Sequence, residues 1–364
     1  FNTHPVGTGP FMLSEISTRR AVLVPNPRYF GRKRPYLAAM EMRFYPTHEN
    51  LLTAYQAGEI MGISEVPPHL FPQVAHLPDL NIYSARISGF YIVYLKLQDE
   101  DRSPFFQTAR VRQALLYGLD RQALIDSALN GRGLVAHGPI RSWIWAYDPN
   151  VRQYDYDADQ ARRLLDEAGW TDTDGDGIRD RKGVALRFSL LVGDDSAAIA
   201  LAQGIASQWA QLGVAANVET LGAGLGDRLR SHNFQAALAE LVLSGDPDPY
   251  PMWDQTQIEG GQNYGGWDNS KASTAIEEAR RLVDREDRKA LYSEFQRIFA
   301  DEVPALIIAN PVYTYAVDRD VKQFQMGPLV TPSDRFRSIA DWYINTRRVI
   351  VSEARQERLT PLPQ

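Results

Sequence analysis

The chain has 364 residues, enough for two or three domains. Its 39 Lys and Arg against 45 Asp and Glu leave a net charge of −6, which argues against a nucleic-acid surface, where a clustered basic excess is needed. It has no cysteine, hence no disulfide framework and no thiolate metal site, and no apolar run reaches the length of a membrane-spanning helix.

Phe1-Asn2-Thr3 runs directly into a Gly/Pro loop without a basic n-region or an apolar h-region. It is therefore not read as a signal peptide, and the start looks like a point partway through something longer. Residues 11–24 form an expected strand pair, broken by Pro25-Asn26-Pro27. Residues 40–45 alternate apolar and polar as a half-buried strand. A short helix over 49–57 stops at Gly58, and 87–97 is a long β-rich run. The middle third is helical: 110–129 carries Val111, Leu115 and Leu119 on one face, with Gly131 past its end. Asp157 caps a second helix with Gln160 three residues on, and Gly169 ends it. A βαβ unit comes next, with strand 186–192, helix 196–212 and strand 214–218. Residues 234–243 form another strand, and helices over 271–283 and 288–301 pack through Ile276, Ala279, Leu291, Phe295 and Ile298. Strands 305–309 and 313–317 close the pattern, and the charged tail from Arg347 is expected to be poorly ordered. There is no internal repeat, and the class is α/β with at least two lobes.

Catalytic motifs are absent. The six histidines, His4, His48, His69, His76, His137 and His232, make no His-Glu-x-x-His pair. His69 and His76 sit in a Pro-rich stretch and read as solvated loop residues. There is no Gly-x-Ser-x-Gly elbow, and Gly222-Ala223-Gly224-Leu225-Gly226 lacks the spacing of a dinucleotide loop. The sharpest local motif is Asp172-Thr173-Asp174-Gly175-Asp176-Gly177-Ile178-Arg179-Asp180. It sets Asp172, Asp174, Asp176 and Asp180 where a Ca²⁺ loop carries oxygen ligands, with Gly at the sixth position. Gly183 stands where the bidentate Glu belongs. Ca²⁺ is thus the candidate cofactor, and the competing reading is an Asp/Gly-rich turn between helix and strand.

Several segments together resemble the family 5 extracellular solute-binding proteins of ABC importers, the group that includes dipeptide-, oligopeptide- and nickel-binding proteins. They are Pro5-Val6-Gly7-Thr8-Gly9-Pro10-Phe11; Pro104-Phe105-Phe106 with Val111-Arg112-Gln113-Ala114-Leu115 and Leu119-Asp120-Arg121; and Ala168-Gly169-Trp170 with the Asp-Gly turn. Gly245-Asp246-Pro247-Asp248-Pro249, Asn263-Tyr264-Gly265-Gly266-Trp267, Leu291-Tyr292 through Gln296 and Ile298, and Glu302-Val303-Pro304 complete the set. Their order and spacing cover residues 5–317.

The resemblance implies a two-lobed, type II periplasmic-binding-protein-like fold with an extra domain, part of which would precede Phe1. Residues 1–92 and 311–346 would form lobe I, 93–310 the ligand-binding lobe II, and 347–364 a disordered tail. Hinge crossings would lie at 91–95 and 308–313. The implied function is an extracytoplasmic receptor, monomeric and without chemistry of its own. It would capture a peptide-like solute between lobes and deliver it to ABC permease subunits. A sugar, an opine or a metal chelate is the alternative ligand class. An α/β hydrolase or a Ca²⁺-binding interaction module is the alternative from another class.

Peptide-binding members carry Trp-x-x-Asp at the end of a cleft strand, where the carboxylate holds the ligand's amino group. The matching stretch here reads Leu243-Ser244-Gly245-Asp246, so the Asp is kept and the Trp is lost. Asp246 would be the anchor; its competing role, with Asp248, is to cap the following helix. A second register, pairing the Asp-Pro steps, sets Gly245 or Leu243 opposite the anchoring Asp. Trp253, Asn263, Tyr264 and Trp267 are the neighbouring ligand-contact candidates. Lys96, where members usually carry Asn, and Trp143 and Trp145 are further ones.

Overall fold

The computed structural model describes residues 5–98 and 103–346. The opening Phe1-Asn2-Thr3, His4 and the tail from residue 347 lie outside the described residues.

One strand organises the molecule. Ala305–Asp318 is fourteen residues long and changes partners midway. Residues 305–309 pair antiparallel with Gly89–Leu95 and residues 309–311 with Gly133–Val135. Residues 312–318 then pair with Leu80–Arg86, and 316–317 with Gly62–Ile63. The sequence suggests two pieces broken near Pro311, but the strand runs through. Pro311 sits opposite Gly133 where the partners exchange, after a register shift between Ile307 and Ala309, and a missing N–H is tolerated at such a point. Asn310 is buried there, and its Nδ2 donates to Gly89 O at 2.9 Å. The two strands that run through the exchange are thereby bonded to each other.

Packing changes at the same place. Tyr313, Tyr315 and Val317 pack with Phe324, Leu329, Ile339 and Trp342, against partly buried Phe11, Met40, Tyr83, Ala85 and Ile87. Leu52, Ile63, Val66, Val74, Leu80 and Ala316 form a smaller core beside it. Leu306, Ile308 and Ala309 belong to another core, with Val93, Leu115, Ile205 and Trp209. Phe90, Ile92 and Ile307 face a further one, closed by Trp253, Trp267 and Phe295. The switch between these sets falls at 87–90 and 309–313. Tyr91–Leu95 pairs along its length with the strand Ala236–Val242.

The remaining elements obey local chemistry. Arg187–Val192 and Ala215–Thr220 pair in parallel around the helix Ser196–Ala210, as the βαβ pattern predicts. Asp195 caps that helix, its Oδ1 accepting from Ala198 N at 2.9 Å. Trp209 is fully buried, and its indole N–H donates to Leu115 O at 2.9 Å. The single helix expected over 110–129 is two, Ala109–Tyr117 and Arg121–Ala128. Gly118 ends the first, and Asp120 starts the second by accepting from Ala123 N at 2.9 Å. The Pro-rich stretch is not a loop throughout: Pro68–Leu70 and Phe71–Ala75 are short helices with Pro in their first turns, where its missing N–H costs nothing. Phe11–Ile16, Arg20–Pro25 and Met40–Arg43 form a separate antiparallel sheet. No described helix is long and apolar enough to cross a membrane.

Gly89 is where the first chain crossing begins, and a Cβ there would lie 2.3 Å from Leu241 O. Backbone cannot yield as a side chain does. Gly89→Ala is expected to lower stability in urea unfolding by about 1–3 kcal/mol; a variant as stable as the parent would show that this register is loose.

Candidate functional site

The parallel strands Arg187–Val192 and Ala236–Val242 run side by side, with Val192 opposite Leu238. Ligands bind in the crevice outside such carboxyl ends in open α/β sheets. Acids stand at these ends: Asp194 and Asp195, just past the first strand, and Glu240, two residues past Leu238. Glu240 lies directly opposite Tyr91 on the neighbouring antiparallel strand. Glu65 approaches from the other set of cores, on a backbone with φ of 62°.

Glu240 is solvent-accessible yet flanked by protein. Burial, then Asp195 and Glu65, push its carboxyl pKa up, while the Tyr91 hydroxyl pulls the other way. Burial, with Glu240 next in weight, raises the Tyr91 pKa. No basic side chain pairs with Glu240 among the described residues. An incoming cation would relieve the repulsion that raises this pKa. No sequence motif singles out Glu240. The one signal for it is a lone carboxylate in the otherwise apolar strand Ala236–Val242.

The turn after this strand holds the anchor candidates. Leu243 N donates to Ser88 O at 2.8 Å, which ties the turn to the crossing. Gly245 faces Val330. Ser244 Oγ donates to Asp246 O at 2.9 Å. The Asp246 carboxylate pairs with Arg288 at 3.1 Å. Asp248 accepts from Tyr250 N at 3.1 Å, although Pro249 is the N-cap of the next helix, and pairs with Arg280 at 3.2 Å. Leu243, Ser244, Asp246 and Trp253 all border one small cavity.

The other candidates lie elsewhere. Asn263 is buried, its Nδ2 donating to Asp254 O at 3.1 Å and Trp267 O at 2.8 Å, and its Oδ1 accepting from Trp267 N at 2.9 Å. Trp267 is buried against Phe299, and its indole N–H donates to Glu302 Oε2 at 2.6 Å. Trp253 stacks edge-on to Phe299 at 4.8 Å, and half-buried Tyr264 stands edge-on to Tyr94 at 5.3 Å. Trp143 carries the Arg86 guanidinium 5.2 Å over its ring. Trp145 lies beneath Arg285 and Arg288. Lys96 comes directly after the strand Gly89–Leu95, its backbone N–H bonded to Gln235 O at 2.9 Å.

In the Asp/Gly turn, Asp172, Asp174 and Asp176 bring carboxylate oxygens within 4.8 Å of one another, all exposed. Each also accepts backbone N–H groups: Asp172 from Gly175 at 2.8 Å and Gly177 at 3.0 Å, Asp174 from Asp176 at 3.2 Å, and Asp176 from Ile178 at 2.8 Å. Asp180 stands apart from this group, bonded to Thr173 N at 2.9 Å and Thr173 Oγ1 at 2.8 Å. These bonds build the turn by themselves. His69 lies 3.1 Å from both Glu49 Oε1 and Ser196 Oγ, and His76 Nδ1 meets Pro72 O.

Comparison with known proteins places the chain. The family model described as "Bacterial extracellular solute-binding proteins, family 5 Middle" matches residues 1–264. The chain belongs to that family. It is 27% identical over 336 residues to the oligopeptide-binding protein AppA of Bacillus subtilis, covering 89% of this chain and 60% of that protein. It is 27% identical over 336 residues to the dipeptide-binding protein of Escherichia coli, covering 90% of this chain and 60% of that one. The solved structure of Bacillus subtilis AppA in complex with a nonapeptide superposes with a TM-score of 0.76 at 25% identity, over 93% of this chain and 66% of that one. NikA from Brucella suis in complex with Fe(III)-EDTA gives 0.82 at 20% identity, over 93% and 68%. The fold is therefore the α/β, type II periplasmic-binding kind read from the sequence. The chain spans about three fifths of the length of the relatives it matches.

Two outcomes are expected. Asp172→Ala removes an acceptor of two backbone N–H groups and should destabilise the protein by about 1 kcal/mol in urea unfolding; no change would mean the turn holds without it. For Glu240 the sign comes from proton counting: a carboxyl raised in the folded state binds more protons there than when unfolded. Its contribution to stability therefore falls as pH rises through and above the ordinary carboxylate range. Glu240→Gln should raise the melting temperature near about pH 7 and leave it unchanged near about pH 4. A lower melting temperature at both would contradict the repulsion.

Proposed function

We propose that this chain belongs to an extracytoplasmic receptor that captures a peptide-like solute and delivers it to an ABC importer. The observation that carries this is the convergence of Glu240, Asp195 and Glu65 at the strand ends, drawn from both sides of the exchange in Ala305–Asp318. An acidic crevice without a paired cation suits the ammonium end of a peptide. Asp246 is already held by Arg288, so Glu240 is the stronger anchor, with Asp246, Ser244 and Gly245 bordering the solute.

We place the two lobes on either side of the packing change at 87–90 and 309–313. The crossing strands act as the hinge, and the solute favours the closed form by binding it better. Polar contacts among the described residues cross the division: Asn130 Nδ2 donates to Pro68 O at 2.8 Å, Arg132 to Ser84 Oγ at 3.2 Å, and His69 meets Ser196, beside the Arg132 guanidinium over the Phe71 ring at 3.3 Å and Arg86 over Trp143 at 5.2 Å. Such contacts exchange readily for water when the lobes open. The protein is a monomeric binder rather than a catalyst, and the relatives matched above are likewise named as binding proteins.

The test is thermal melting and calorimetric titration of the full chain with alanine-based di- to tetrapeptides, their N-acetylated forms, a sugar and a metal chelate. Free peptides should raise the melting temperature by mass action. N-acetylation should weaken binding about tenfold or more, and Glu240→Gln should abolish that preference. Equal binding of acetylated peptides would remove the anchor. A response to sugar or chelate alone would remove the peptide.

A further inference from the structure

Three described arginines are more than nine-tenths buried: Arg112, Arg121 and Arg141. Two are saturated. Arg112 donates to the carbonyls of Phe106, Gln107, Glu302 and Val303 at 2.6, 3.0, 2.9 and 3.0 Å. Arg121 donates to the carbonyls of Ala136, Ile307 and Tyr154. Both tie segments distant in sequence together through neutral acceptors.

Arg141 differs. Only 4% of it is exposed, and its one protein acceptor among the described residues is Ser244 O, at 3.2 Å. Its Nε is buried without a partner. Burial lowers its pKa. A buried guanidinium with one long hydrogen bond is costly unless an anion joins it.

Space for that anion lies beside it. Arg141, Ile140 and Ile144 face Leu243, Ser244 and Trp253 across a cavity of about 30 Å³. That volume holds about two water-sized groups, the size of a carboxylate's two oxygens. Asp246 and Asp248 also border the cavity, but their charges are met from outside it by Arg288 at 3.1 Å and Arg280 at 3.2 Å. The Ser244 hydroxyl is committed to Asp246 O, which leaves Arg141 as the cationic donor.

We propose that Arg141 and this cavity form a subsite for a carboxylate-sized anion, at the turn just beyond the strand bearing Glu240. The anion is either the carboxylate of the captured solute or a small free carboxylate. The first source rests on the receptor reading above; the second does not.

The experiment has two arms on the full chain. Sodium acetate is titrated into the parent, Arg141→Gln and Arg141→Lys while melting is followed, so that general salt effects cancel between variants. Acetate should raise the melting temperature of the parent and of Arg141→Lys, and not of Arg141→Gln. Without acetate, Arg141→Gln should melt no lower than the parent, because the buried charge is gone; a merely structural arginine would give a loss. In the second arm, alanine peptides with a free carboxyl terminus are compared with their amides by calorimetry. A preference of about tenfold or more for the free carboxylate, lost in Arg141→Gln, assigns the subsite to the solute. An acetate response without that preference assigns it to a free anion. If no peptide binds, the receptor reading fails and the acetate arm still decides the subsite. Parent and Arg141→Gln behaving alike in both arms would overturn it.

Discussion

The backbone pairing of Ala305–Asp318 is the constraint on which the other features depend. One continuous strand supplies hydrogen bonds to two groups of strands and side chains to separate cores. The chain passing the other way, Leu80–Arg86 into Gly89–Leu95, does the same. Because a strand is stiff where it is paired on both edges, bending is confined to where partners are exchanged. Residues 309–312 and 86–89 are those points, and the Asn310 side chain bonded to Gly89 O keeps the two crossings in step. In the receptor proposed above, motion about such a pair of crossings would be a rotation about one axis rather than a loose separation.

The same topology sets the electrostatics. Strands 187–192 and 236–242 end near the crossings, so the residues at and beyond their carboxyl ends are delivered to the crevice. Those residues include the acids Asp195 and Glu240, and then the turn from Leu243 to Asp246, which borders the Arg141 cavity. Acidic groups without a cation and a buried cation without an acid are each unfavourable alone. In the receptor proposed above, they would suit a solute that carries both signs.

Much of this could be read from the sequence. Helix starts were legible because capping is local: Asp157 accepts from Gln160 N at 2.8 Å, and the βαβ unit keeps to its period. The run of family motifs marked the fold as well, since they fall in turns and in helices whose chemistry is local. Long-range choices were not legible. The strand 305–318 survives Pro311 because its partner changes there, which no local rule encodes. Asn263 and Trp267 look like cleft residues in a Gly-rich segment, yet they knit that segment to the core through Asp254 and Glu302. Glu240 and Arg141 carry no motif; only the tertiary arrangement shows that, among the described residues, no basic side chain pairs with the first and the Nε of the second is buried without a partner.

The central claim is that a solute is held between two lobes that turn about the paired crossings. Small-angle X-ray scattering of the full chain, with and without a saturating mixture of short alanine peptides, tests it most directly. The radius of gyration should be smaller with peptide, and the change should be the same whichever bound peptide is used, because one hinge sets the closed form. A scattering curve unchanged at saturation would contradict it.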